Sequence, residues 1–146
     1  MIDEHYPLLP FDDDHVFPFF SSGKHGKILK LVVFSQTRTG KWNLAFGDFN
    51  GLRLDDSIVS NNQDLPLVIK TVVAAAYRFS EKFPDRVIYI EAIDKRRNLL
   101  YHRVLRTHFE EISEVFFVEG RIEGRWVSYR PRLDFEAFQF TRKPYF

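Results

Sequence analysis

Ser60-Asn61-Asn62-Gln63-Asp64 is a dense run of backbone-binding side chains, and it stands just before a helical pattern. Side chains of this kind accept hydrogen bonds from the first unpaired N–H groups of a helix, and those groups also carry the positive end of the helix dipole. The run is therefore either an ordinary cap or the floor of an anion site. Arg97 is the second candidate. In a helix beginning near Lys95, a rotation of about 100° per residue lines Arg97 up with Leu100, Val104 and His108 on the inward face. An inward guanidinium has to be paired, and Asp48, Asp55, Asp56 and Asp64 are the available carboxylates. The structural reading is a buried ion pair bracing two helix starts. The functional reading is a pocket for a small anionic ligand, built from Arg97, the amides after Asn62 and the Tyr101 hydroxyl. The candidate binding cluster is accordingly Asp48, Asn61, Asn62, Asp64, Arg97 and Tyr101.

A second group is basic. Lys95, Arg96, Arg103 and Arg106 share the outward stripe of the same helix, and Arg121, Arg125, Arg130 and Arg132 follow, interleaved with Trp126 and Tyr129. Arginine beside exposed aromatics supplies the phosphate contacts and stacking platforms of single-stranded nucleic-acid binding. Glu110, Glu119 and Glu123 dilute the patch, so Arg96, Arg103, Arg106, Arg125 and Arg130 read first as a solvated face and only second as a nucleic-acid surface. Asp55-Asp56 has the form of an acid–base pair, yet adjacent loop acids are ordinary turn formers.

Other chemistry finds no constellation. His5, His15, His25, His102 and His108 show no helical zinc spacing. Asp12-Asp13-Asp14-His15 reads as a solvated arm rather than a cation site, because metal ligands must be held in geometry. Ser22-Gly23-Lys24-His25-Gly26-Lys27 lacks the Gly-Lys-Ser/Thr ending of a phosphate loop and leads into a strand. Ile122-Glu123-Gly124-Arg125 matches a protease recognition tetrapeptide, but folded-looking sequence flanks it. No cofactor, metal or catalytic group is expected.

The elements that must position these residues fit one domain. The chain has 146 residues, no cysteine and a net charge of only +1. Disulfides, thiolate metal sites and cysteine nucleophiles are thereby excluded. Residues 1–15 hold Asp3, Glu4, Asp12, Asp13 and Asp14 and no Lys or Arg, which leaves the remainder mildly basic. With Pro7 and Pro10, that segment reads as an acidic extended arm ahead of a domain over 16–146. The start lacks the basic and apolar regions of a signal peptide, and no apolar run approaches the ~20 residues that span a bilayer. The cytoplasm is the expected compartment. Sixteen Phe fill a core first, and any surplus suits a homodimer face.

Val16–Phe20 reads as an edge strand interrupted by Pro18, and Ile28–Phe34 as a central strand buried on both faces. Thr37-Arg38-Thr39-Gly40 turns the chain into a strand over 42–47. Val68, Val72, Ala75, Phe79 and Phe83 mark the inward stripe of a helix over 64–82, with Pro66 in its first turn. A strand over 87–90 follows, then a helix over 95–112 with Asp94 as N-cap. In that helix Leu100, Tyr101, Val104, Leu105, His108 and Ile112 are assigned inward and His102 outward. Strands over 114–121 and 135–142 finish the chain. This order predicts an α+β two-layer sandwich: a mainly antiparallel sheet with both helices on one face.

Asn43-Leu44-Ala45-Phe46-Gly47-Asp48, Ser60-Asn61-Asn62-Gln63-Asp64 and Arg97-Asn98-Leu99-Leu100-Tyr101, in that order and spacing, resemble a family of small uncharacterised bacterial proteins, largely from Bacteroidetes and classed as a domain of unknown function. The resemblance spans most of 16–142 and implies a compact bacterial intracellular protein, with no activity attached. Arg96 stands where the family pattern has a small residue. The order of three strands, helix, strand and helix also resembles acetyltransferases, except that a glycine-rich pyrophosphate turn is missing before the first helix. Three functions compete: a non-catalytic, self-associating binding module; an enzyme on a phosphate-bearing or acyl-carrier substrate; and a nucleic-acid-binding accessory protein.

Overall fold

The computed structural model describes residues 4–49, 62–92 and 94–144, together with the backbone of 54–55. Strand β1 (Val16–Gly23) pairs with β2 (Gly26–Gln36), and β2 with β3 (Trp42–Phe49), as an antiparallel meander. A two-residue strand, β4 (Leu54–Asp55), folds back on the end of β3. Helix α1 (Leu65–Lys82) then crosses to β5 (Ile88–Glu91), which lies parallel to β3. Helix α2 (Lys95–Val115) crosses from β5 to β6 (Phe116–Ile122), and β7 (Arg125–Ser128) and β8 (Ala137–Arg142) follow. The order across the sheet is β1-β2-β3-β5-β8-β6-β7, so the last strand inserts between β5 and β6. Among the described residues only the β3–β5 pairing is parallel. The molecule is an α+β domain in which both helices cover the same face of the sheet. No helix among the described residues is long and apolar enough to cross a membrane.

Alternation explains the core. Phe17, Phe19, Val32, Phe34, Leu44, Phe46, Ile88, Phe116, Val118 and Phe138 occupy one side-chain parity of their strands and are buried. Val68, Val72, Ala75 and Phe79 come down on them from α1, as the stripe predicts. Phe79 stacks flat on Phe34, with ring centroids 4.0 Å apart. The opposite parity of β2, namely Leu29, Leu31 and Val33, is only half-buried. β2 is therefore covered on one face and not on both. The other sheet face carries no helix among the described residues.

Three further expectations are corrected. The inward stripe of α2 keeps Leu105 and Ile112, with Tyr101 and Val104 packed against the core, and adds His102 and Val115, of which His102 was assigned outward. His102 is buried because both ring nitrogens have backbone partners: Nδ1 donates to the Asn98 carbonyl at 2.8 Å, and Nε2 accepts the Phe135 N–H at 3.0 Å. Asp12 and Asp13 are exposed, as a solvated segment requires, but the three aspartates form a turn rather than an extended stretch. All three adopt left-handed φ, between 53° and 61°, a conformation that Asp tolerates better than most residues. Lys82 holds Asp13 at 2.5 Å and Arg78 approaches Asp14 at 3.9 Å. The connection after β6 contains a tight hairpin: Glu123 and Gly124 both have positive φ, which gives the backbone twist that joins β6 to β7 in two residues.

Candidate functional site

The helix starts place the two halves of the expected cluster in different surroundings. At the start of α1, Asn62 is 1% exposed. Its Oδ1 accepts the His25 N–H at 2.5 Å, and its Nδ2 donates to the Gly26 carbonyl at 2.8 Å and to Ser21 Oγ at 3.2 Å. Its own carbonyl accepts the Lys24 N–H at 3.2 Å. Asn62 therefore pins the β1–β2 turn. Asp64 makes no side-chain cap. Its Oδ2 instead accepts from Ser21 Oγ and from the Tyr6 hydroxyl, both at 2.5 Å. Burial and the Asp64 carboxylate push the Tyr6 phenol up. The Asn62 and Asp64 side chains are thus consumed by the fold. They tie the N-terminal segment, the β1–β2 turn and α1 together, and the anion-floor reading does not hold for Asn62 and Asp64. Asn61, Asp56 and the side chain of Asp55 lie outside the described residues.

Asp48 has a partner that the sequence reading missed. Lys30, 1% exposed in the middle of β2, meets Asp48 Oδ1 at 2.5 Å directly across the β2–β3 pairing. A lysine inside an apolar run looks solvent-facing. The signal that could have revealed it is parity, since Lys30 shares its face with Val32 and Phe34.

Arg97 departs from expectation in another way. It is half-buried, and among the described residues its guanidinium makes no ion pair. Its backbone N–H donates to Asp94 Oδ1 at 2.8 Å, so the predicted N-cap is present. Arg97 instead lines a cleft of about 420 Å³ with Asn43, Phe46, Tyr89, Glu91 and Tyr101. Tyr101 sits against Phe46, with centroids 6.4 Å apart. The lining includes none of Asp48, Asn62 and Asp64.

The cleft exists because β3 and β5 pair only through Trp42–Ile88 and Asn43–Tyr89 and then part. At the far end of β3, Asp48 and Phe49 pair with β4 on that same edge. Between these pairings, Leu44–Gly47 have no strand partner on that edge among the described residues. Backbone donors and acceptors bordering a cavity need a partner, and the carboxyl ends of parallel strands are where open α/β sheets hold ligands. Glu91 lines the cleft but is engaged by the Tyr89 hydroxyl and by Arg121 at 3.5 Å. Burial and this carboxylate push the Tyr89 phenol up.

The basic patch is solvated. Arg96, Arg103, Arg106, Arg125 and Arg130 are all exposed. Tyr129 is not available as a stacking platform. It is 6% exposed and packs against Phe109 and Phe135.

Comparison with known proteins adds the family. The chain belongs to the family of unknown function DUF6934, whose family model matches residues 3–143. No curated protein and no solved structure matches it.

Proposed function

We propose that this DUF6934 protein is a binding module of the bacterial cytoplasm that holds an elongated, anionic ligand in the cleft between β3 and β5. The observation that carries the reading is the parting of these two strands over Leu44–Gly47, an edge with no strand partner among the described residues, with Arg97 in the lining. A strand edge recognises a ligand through amide groups, and a half-buried guanidinium recognises a phosphate. A phosphate-bearing acyl carrier arm, with amides along its length, combines both. The chemistry supports binding over catalysis: Glu91, the carboxylate of the cleft, is committed to Tyr89 and Arg121. The test is titration with phosphopantetheine followed by calorimetry and backbone amide NMR. Binding that shifts the Leu44–Gly47 amides and weakens about tenfold in Arg97→Gln, as loss of a charged hydrogen bond implies, supports the reading. Absence of heat and of shifts on that edge would refute it.

Self-association is a second reading, favoured by the uncovered face of the meander. Val16, Pro18, Leu29, Leu31 and Val33 are half-buried there, and Phe20 is 49% exposed. A twofold contact through this face would bury them. Sedimentation should give a dimer at ~100 μM, far above the ~1 μM scale of a modest interface. A monomer at that concentration removes the reading.

A further inference from the structure

The uncovered face changes character beyond β3. Lys41, which enters β3, and Trp126 of β7 are separated by β5, β8 and β6 in the sheet order. Even so, Lys41 Nζ lies 4.2 Å from the Trp126 ring centroid and 5.7 Å from that of Tyr89. The sheet therefore curls until its polar half forms a trough. That trough is about 610 Å³, lined by Thr37, Arg38, Lys41, Tyr89, Arg121 and Trp126, with Thr39 and Gly124 at the turns. Tyr89 and Trp126 meet edge to face at 6.1 Å and make an aromatic corner.

The trough has a surplus of positive charge. Arg121 is already engaged: Nε on Glu136 at 3.4 Å, Nη1 on the Tyr89 hydroxyl at 3.2 Å, and Nη2 toward Glu91 at 3.5 Å. Lys41 makes no ion pair among the described residues; Glu119 is the acid that acts on it, from a distance. Burial first, and then Arg121 beside it, hold the Lys41 ammonium below the usual lysine range. An anion seated here offsets the repulsion from Arg121. Arg38 is exposed at the rim, and the Thr37 and Thr39 hydroxyls lie 3.1 Å apart on the same turn. Several donors of this kind lining one trough suit the oxygens of a tetrahedral oxyanion better than the two of a carboxylate.

We infer that the β2–β3 turn and Lys41 form a binding site for a small phosphomonoester, its phosphate on Lys41, Arg38 and the two threonines and its planar body against the Tyr89–Trp126 corner. The site is separate from the cleft, although Tyr89 borders both, so an occupant of one would meet an occupant of the other across that ring.

The experiment is NMR titration of the full chain with phenyl phosphate, with inorganic phosphate as a second probe. The inference expects shifts at the Thr37–Lys41 amides and the Trp126 indole, with phenyl phosphate tighter than inorganic phosphate. Binding should vanish in Lys41→Met, weaken in Arg38→Gln, whose side chain is exposed and dispensable for folding, and stay unchanged in Arg97→Gln. Shifts that map to Leu44–Gly47 and disappear in Arg97→Gln would overturn it while leaving the cleft reading intact. Equal affinity in the wild type and Arg38→Gln, or no shift at the turn, would also overturn it.

Discussion

Both helices start at an aspartate, and the two starts have opposite fates. Asp94 caps its own helix by accepting the Arg97 N–H, which leaves the Arg97 side chain to line a cleft. Asp64 leaves its helix uncapped and spends its carboxylate on Tyr6 and Ser21. The first start is open and the second is sealed by the chain's own groups. The difference teaches that polar density along a sequence marks where a fold is tied together at least as readily as where it binds. The open site arises instead from a divergence of backbones, which has no local sequence signature.

The sealed end should be the costly one to disturb. Lys30→Met leaves Asp48 facing the core without its cation, and should destabilise by about 3–5 kcal/mol in urea unfolding, the usual cost of breaking a buried pair from one side. A loss below about 1 kcal/mol would mean that the carboxylate reaches water freely and the end is not sealed. Gly23→Ala comes next. Its new Cβ would fall 2.0 Å from the Asn62 carbonyl oxygen, so the Asn62 clasp must open, at about 1–3 kcal/mol as for other overpacked sites.

Tyr77→Phe separates sealing with partners from sealing without them. The Tyr77 hydroxyl is buried and has no hydrogen-bond partner among the described residues. Burial, with Glu111 and Glu114 nearby, pushes its pKa up to about 12. A folded pKa raised above the ordinary 10.0 means that the stability tied to the protonated phenol is intact below pH 10 and is lost as pH rises toward 12. The variant should flatten that alkaline decline in a pH series of melting temperatures. At neutral pH it should be unchanged or more stable by up to about 1 kcal/mol. An alkaline limb identical to the wild type would show that Tyr77 is not the residue responsible. The smallest effect belongs to the open start: Arg97→Gln should alter stability by no more than about 0.5 kcal/mol. A loss of 3 kcal/mol or more, of the order expected for a buried pair, would make Arg97 structural and collapse the comparison.

Much of this architecture was legible in the sequence. The four-and-three spacing of Val68, Val72, Ala75 and Phe79 places α1 correctly, and Asp94 marks the start of α2. The failures share a cause, which is that polar side chains were read by type rather than by available partners. His102 was turned outward because a histidine in a basic helix looks solvated, yet two backbone groups far apart in sequence, at Asn98 and Phe135, satisfy its ring. Lys30 was overlooked because its partner is a cross-strand neighbour on another element. Arg97 and Tyr101 line the same cleft, since four residues along a helix share a face. They were given the wrong surroundings, because nothing local shows where β3 and β5 stop pairing. The Lys41–Trp126 trough depends on the curl of the whole sheet and was beyond any reading of spacing.

The position of β8 bears on how the chain comes to fold during synthesis. Residues up to the end of β7 can pair as a meander with β5 at its edge and as a separate β6–β7 hairpin, but the seam between them is filled only by β8, which follows them in the chain. Until Ala137–Arg142 arrive, both sides of that seam are bare strand edges, the surfaces most prone to pairing with another chain. Joining them also depends on contacts between segments far apart in sequence, which slows folding. A chain cut short before β8 would lose not a terminal ornament but the strand that makes two half-sheets into one.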